Sequence, residues 1–361
     1  MTTYAESGVN IAAGDAASKN AYKFAKQTFA GRANMIGAPV IQDGGFSGLL
    51  DMGNFYLTQC CDTVGTKITI AEKIKKFDGL GQDLLCMVAD DAICSGAETV
   101  SITNTFETTA IEPSEISAMM ESLSKACQEQ KVVIPGGEIA EVGDMTNGTG
   151  WGADAVGVVQ KDRVITGENI AAGQKIVGLK GRAFRCNGLS LARRICANNF
   201  GPDWETVEYQ DGKTWGEVLL TPSKIFQRAI LEAVIGTFDG EKKYDVHGIV
   251  HVTGGGIPGN LPRIFNDQTL GAKLDNLHAP HDALKKLKEL GNVADEEAYR
   301  TWNSGTAMML IVDEADAQNI ADALNAYDQE IQAQIVGEIN TTGKIELISQ
   351  YTHNTLTFET E

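Results

Sequence analysis

Apolar residues recur at helical spacing through Pro113–Gln130, where Ile116, Met119, Leu123 and Cys127 share one face, and the pattern predicts an amphipathic helix. A second helix is predicted from Thr221-Pro222, with Thr221 as N-cap and Pro222 in the first turn. Its apolar face would carry Ile225, Ala229, Ile230, Ala233 and Val234. Short runs rich in apolar and β-branched residues predict strands at Ala153–Val159, Lys175–Leu179, Thr306–Val312 and His247–Val252, and a brief one at Lys131–Ile134. In Leu84–Glu98 apolar residues surround the adjacent acids Asp90 and Asp91, which places the acids at the end of a buried helix or in a turn. Strands and helices alternate in both halves, so the class is α/β (α+β). No short-period repeat or low-complexity tract interrupts this pattern.

Length turns one fold into two domains. A chain of 361 residues exceeds one ordinary core. The polar, glycine-bearing stretch Val164–Gly173 is the natural boundary, giving domains at 1–166 and 167–361. No apolar run approaches the roughly 18 residues needed to span a bilayer. The opening Met1–Glu6 has neither the basic region nor the apolar stretch of a secretory signal. Seven cysteines without C-x-x-C spacing suggest reduced, packing thiols and a cytoplasmic setting. The net charge of −18 argues against nucleic acid and anionic membrane as partners. A phosphorylated ligand remains compatible, because a local nest of N–H groups with Lys and Mg²⁺ outweighs a diffuse surface charge.

Glycine adds the first hint of a site. The 39 glycines, about 11% of the chain against a norm of about 7%, cluster after strands. Gly44, Gly45 and Gly48 form one cluster, Gly136-Gly137 a second, Gly148, Gly150 and Gly152 a third, and Gly254–Gly256 a fourth. Any single cluster reads as a turn; four of them suggest a cleft whose backbone approaches a ligand closely. The segment Asp62-Thr63-Val64-Gly65-Thr66-Lys67 places a carboxylate, two hydroxyls and an ammonium within six residues without P-loop spacing. Such a carboxylate suits Mg²⁺, and the ammonium with nearby N–H groups suits phosphate. Asp62 and Asp91 form the best Mg²⁺ pair; helix capping with a solvated neighbour is the other reading of Asp90-Asp91. Glu138 and Glu141, three apart after Gly136-Gly137, read either as a metal or substrate acid on a helical turn or as a local backbone contact. His247 and His251 have zinc-like spacing but lie in a strand pattern without H-E-x-x-H, so zinc is disfavoured. Lys285–Lys288 reads as a solvated helix face.

Taken in order, these segments resemble aminoimidazole ribonucleotide synthetase, the phosphoribosylformylglycinamidine cyclo-ligase family. The resemblance rests on the Tyr4–Asp15 opening, Gly44-Gly45-Phe46-Ser47-Gly48, Asp62–Lys67, Asp83, Asp91 with Gly96-Ala97-Glu98, and Gly136–Glu141. It continues through Asn187-Gly188-Leu189-Ser190-Leu191, Thr221–Ile225, His251–Gly256, Asn260–Arg263 and Tyr299–Gly305, so it spans roughly Tyr4 to Val312. It implies two α/β domains, the first pairing through its sheet into a dimeric β-barrel, and ATP in a long cleft. It further implies a homodimer acting on formylglycinamidine ribonucleotide, with ATP and Mg²⁺ as cofactors. The chain departs from the family pattern at Asp90, at Asn104, and at Arg185-Cys186, where His-Ser is usual.

The implied chemistry is ring closure. ATP phosphorylates the formyl oxygen, an amidine nitrogen attacks the activated carbon, and phosphate leaves, so positioning and charge stabilisation matter more than a protein nucleophile. Asp62, Asp91 and Glu138 would hold Mg²⁺, and Lys67 would neutralise the moving phosphate. Gly44, Gly45, Gly48 and Thr66 would line the triphosphate, while Asn187, Gly188 and Ser190 would offer a helix N-terminus to phosphate. Arg185 would grip a phosphate or, alternatively, pair with surface acids. Two other functions fit the same motifs: another ATP-dependent phosphoryl-transfer enzyme of the superfamily, or a nucleotide-binding subunit without catalysis.

Overall fold

A computed structural model describes residues 11–40 and 45–360. It is a mixed α/β protein with two large sheets. The first is built from β1 (Ala38–Val40), β2 (Gly48–Asp51), β3 (Phe55–Thr63), β4 (Glu98–Thr108), β5 (Val133–Glu141) and β6 (Thr149–Gln160), in the order β1-β2-β3-β6-β4-β5. All its pairings are antiparallel except β4 with β5. Period-two alternation splits it into two faces. Cys60, Ile102, Phe106, Trp151 and Ala155 are buried on the inner face, whereas Gln59, Cys61, Thr103, Thr105 and Asp154 are exposed on the outer one. Helices α3 (Leu80–Ala92) and α4 (Pro113–Gln130) contribute to the core beneath the inner face. The short α2 (Lys67–Ile74) follows β3.

The helix predicted at Pro113–Gln130 is present with those bounds. Met119, Leu123 and Cys127 are buried, and Lys131 ends it in the left-handed conformation. The brief strand expected at Lys131–Ile134 is instead the nine-residue β5, which runs straight through Gly136-Gly137. Parallel pairing with β4 holds it extended, with Asn104 opposite Gly137 and Thr105 opposite Glu138. A Cβ at Gly137 would lie 2.7 Å from the Asn104 carbonyl, so glycine here permits close strand packing rather than a turn.

The second sheet contains β7 (Lys175–Lys180), β10 (Val246–His251), β11 (Gly271–Leu274), β12 (Thr306–Val312), β13 (Ala333–Asn340), β14 (Lys344–Ile348) and β15 (Thr355–Glu359); β8 (Glu208–Gln210) and β9 (Lys213–Thr214) form a separate hairpin. Its order is β10-β12-β7-β13-β11-β14-β15. Every residue of β12 is buried, which explains its unbroken apolar sequence: both faces of that strand are covered. Strands of the first sheet end at Gln160, and those of the second begin at Lys175. Among the described residues no helix is long and apolar enough to cross a membrane.

The helix expected from Thr221 does not start there. Residues 221–226 have no regular structure, and the helical turn begins at Gln227 and continues as a π-helix over Ile230–Ile235. Tertiary bonds claim the segment. The Thr221 carbonyl accepts from Lys67 Nζ at 2.8 Å, and Ser223 donates its N–H and hydroxyl to Asp83 Oδ1 at 2.9 and 2.5 Å. The cap comes from another domain: Asp90 Oδ1 accepts from Phe226 N and Gln227 N at 3.0 and 3.1 Å. The predicted apolar face survives, with Ile225, Ala229, Ile230 and Val234 buried.

Candidate active site

Strand β3 delivers Asp62 one residue before its end, on the inner face. Thr63 N donates to Asp62 Oδ1 at 2.6 Å, and Gly65 N donates to the Thr63 hydroxyl at 3.1 Å, closing a tight loop before α2. Thr66 does not cap α2 with its side chain. Its hydroxyl lies 3.4 Å from that of Ser190, on the first turn of α5 (Leu189–Phe200). Two helix N-termini therefore converge on this loop, one from each domain. Gly188 opens α5 at φ 71°, and a Cβ there would come within 2.3 Å of the Trp302 ring, so only glycine fits. A Cβ on Gly254 would lie 3.9 Å from the Asn187 amide nitrogen, which brings the Gly254–Gly256 loop to the same place.

Asp91 enters from the end of α3. Its Oδ1 is 2.7 Å from His251 Nδ1 at the end of β10. Withdrawal from water pushes the Asp91 carboxyl up to about 7, against the pull of Arg263 and Arg185. Asp62 rises to about 6 for the same reason, with the charge of Asp91 adding to it. The charge of Asp91 thus reaches Asp62. Burial holds His251 down at about 3, so it is a neutral imidazole, hydrogen-bonded through Nδ1 to the Asp91 carboxyl. Its Nε2 is buried without a partner. Neither Asp62 nor Asp91 has a Lys or Arg within ion-pair distance among the described residues. Two carboxylates without an ion-pair partner of this kind suit a hard divalent cation that takes its remaining ligands from phosphate and water.

Of three residues expected to meet metal or phosphate, two are engaged in buried ion pairs and one lies on the other face of the sheet. Lys67 is fully buried, with Nζ 2.6 Å from Asp83 Oδ2. An ammonium in the core needs a carboxylate, and Asp83 supplies it. Arg185 is 1% exposed and engaged by Asp90, Nη2 to Oδ2 at 2.6 Å, and by the Ala307 carbonyl at 3.1 Å; its Nη2 also meets Cys86 Sγ. This corrects both expectations for Arg185, since its guanidinium is neither open to a phosphate nor at the surface. Glu138 is exposed on β5 and accepts only from the adjacent Ile139 N, at 3.2 Å. Cross-strand register aligns it with Thr105, Gly152 and Thr63, hence on the outer face, opposite Asp62 and three strands away, about 14 Å. It does not join the acids. Among the described residues no group of three or more His, Cys, Asp or Glu side chains is placed to hold a metal.

Of the glycine loop, Gly44 lies outside the described residues. Gly45, at φ 81°, exchanges backbone contact with Arg263, whose Nη2 donates to the Gly45 carbonyl at 2.6 Å. Gly48 begins β2, and its carbonyl accepts from the Thr58 hydroxyl at 3.2 Å. Beside this loop is a cavity of ≈ 530 Å³, lined by Tyr22, Phe29, Gly45, Phe46, Cys61 and Asp154 among others. Sequence reasoning left Asp83, His251 and Arg263 without roles. Position directly before a glycine cluster was the available signal for His251; the other two are fixed by contacts remote in sequence.

Residues 44–163 match the family model for the N-terminal domain of AIR synthase related proteins, and residues 171–350 match that for the C-terminal domain. The phosphoribosylformylglycinamidine cyclo-ligase of Pyrococcus furiosus is 36% identical over 340 residues, 94% of this chain and 96% of that protein. The enzyme of that name from Methanocaldococcus jannaschii is 34% identical, over 94% of this chain and 92% of its own. Among solved structures, the hydrogenase maturation protein HypE in complex with ATP superimposes with a TM-score of 0.59 at 16% identity, covering 84% of each chain. Phosphoribosylformylglycinamidine synthase II from Thermotoga maritima gives 0.59 at 14% identity, covering 89% of this chain and 47% of that one. At such identities these two likenesses concern the fold.

Proposed function

This chain belongs to the phosphoribosylformylglycinamidine cyclo-ligase family, and we propose that it closes the imidazole ring of aminoimidazole ribonucleotide at the cleft between Asp62 and Asp91. ATP gives its terminal phosphoryl group to the formyl oxygen of formylglycinamidine ribonucleotide: the bond to ADP breaks and a new P–O bond forms. An amidine nitrogen then attacks the activated carbon, the former formyl oxygen leaves within inorganic phosphate, and one N–H proton is released. Asp62 and Asp91 would hold Mg²⁺, which when bound supplies charge neutralisation for the phosphates. His251 orients Asp91 through Nδ1. The loop 63–66 and the start of α5, with Asn187, Gly188, Ser190 and Thr66, offer N–H groups and hydroxyls to phosphate oxygens. Lys67 and Arg185 act indirectly, by fixing Asp83 and Asp90 on the helix that carries Asp91. Glycines 45 and 48 shape the loop against which the nucleotide packs.

The observation that carries this reading is Asp62 beside the loop where two helix N-termini meet, with Asp91 near enough to act on it and neither carboxylate in an ion pair with Lys or Arg among the described residues. We further propose a cytoplasmic homodimer formed through the exposed face of the first sheet, with domains at 1–166 and 167–361. Incubation with ATP, Mg²⁺ and formylglycinamidine ribonucleotide should release ADP and aminoimidazole ribonucleotide together. Asp62→Asn and Asp91→Asn should each lower turnover about a hundredfold or more, the scale of lost electrostatic stabilisation. Unchanged turnover in both variants would remove the pair from the chemistry.

A further inference from the structure

A polyphosphate placed beside Asp62 and Asp91 needs positive charge from side chains as well as metal, and the two cations that sequence suggests are engaged inside the protein. Arg263 differs from both. It is exposed, at the end of the short helical segment Leu261–Ile264. Its guanidinium stacks over the Phe46 ring at 4.0 Å, donates from Nη2 to the Gly45 carbonyl at 2.6 Å, and from Nη1 to Asn260 Oδ1 at 3.3 Å. Asn260 is itself buried, and its amide donates to the Gly254 and Gly256 carbonyls at 3.1 and 2.8 Å. One side chain therefore ties the glycine loop of the first domain to the glycine loop of the second. Its remaining N–H donors have no acceptor among the described residues.

A planar guanidinium held by stacking and two hydrogen bonds, with donors left over among the described residues, is organised in advance to receive an oxyanion. We propose that Arg263 is the cleft's phosphate-contacting cation, binding the terminal phosphates of the nucleotide between the two glycine loops. The assignment rests on the nucleotide reading of the cleft given above. A purely structural role, anchoring the Gly45 loop, predicts something different: every nucleotide would lose affinity alike, because the loop would move for all of them.

The test is calorimetric titration of wild type, Arg263→Gln and Arg263→Lys with ATP and with AMP, each with Mg²⁺, after thermal melting shows the variants folded. Arg263→Gln should bind ATP about 10- to 100-fold more weakly, the scale of a hydrogen bond to a charged group, while AMP affinity stays within about twofold. Arg263→Lys keeps the charge but loses the fork and should fall between. Equal losses for ATP and AMP, or wild-type ATP affinity in Arg263→Gln, would overturn the assignment alone. A wild-type protein that binds no ATP would overturn the nucleotide reading and this assignment with it.

Discussion

His278 illustrates how a single buried residue ties the fold to pH. It is 5% exposed, and its Nε2 lies 2.9 Å from the Gly178 carbonyl, to which the neutral ring donates. Burial, assisted by Lys180, holds its pKa below the ordinary 6.5. In the unfolded chain the ring takes a proton below pH 6.5 that the folded protein resists. Its contribution to stability is therefore present above that pH and lost as the pH falls below it. The drop in melting temperature between pH 7.5 and 5.5 should be smaller in His278→Gln than in wild type; equal drops would mean that another group sets the slope. At this scale the placement of Asp62 and Asp91 was legible from local pattern: a carboxylate near a strand end, and an acid at the end of a buried helix. Sequence misled for Lys67 and Arg185, because a cation's role depends on which carboxylate reaches it. Asp83 and Asp90 reach them from α3, and in Arg185's case from 95 residues away.

Among the elements, α4 and β12 were legible because each follows one rule throughout: helical period in the first, an unbroken buried run in the second. The segment 221–226 was not, since Thr-Pro followed by apolar spacing is a valid helix start until Lys67, Asp83 and Asp90 bind its backbone and side chains. β5 was misjudged for a related reason: Gly136-Gly137 looks like a turn unless β4 is known to lie alongside. Asp90 is the test of this seam. Asp90→Ala would leave Arg185 unpaired in the core and the N–H groups of Phe226 and Gln227 without their acceptor. We expect a loss of about 3–5 kcal/mol in urea unfolding, the cost of breaking a buried pair from one side. A loss below about 1 kcal/mol would show that the pair contributes little.

Across the whole molecule, the first sheet presents one covered face and one exposed face, with β1 and β5 at its edges. Sheet edges invite pairing, and a closed two-fold pair is the commonest way to cover them. Sedimentation at micromolar concentration should give about twice the 38.6 kDa of one chain; a species of single-chain mass would exclude the dimer. The same sheet joins its neighbour through more than the connecting peptide. Lys67 to Thr221, Asp83 to Ser223 and Asp90 to Arg185 all cross from one half to the other, the last two buried. The covalent link across 161–174 is thus not the sole attachment between the halves. A gene split within that stretch would still encode two pieces whose mutual recognition is written into their interiors.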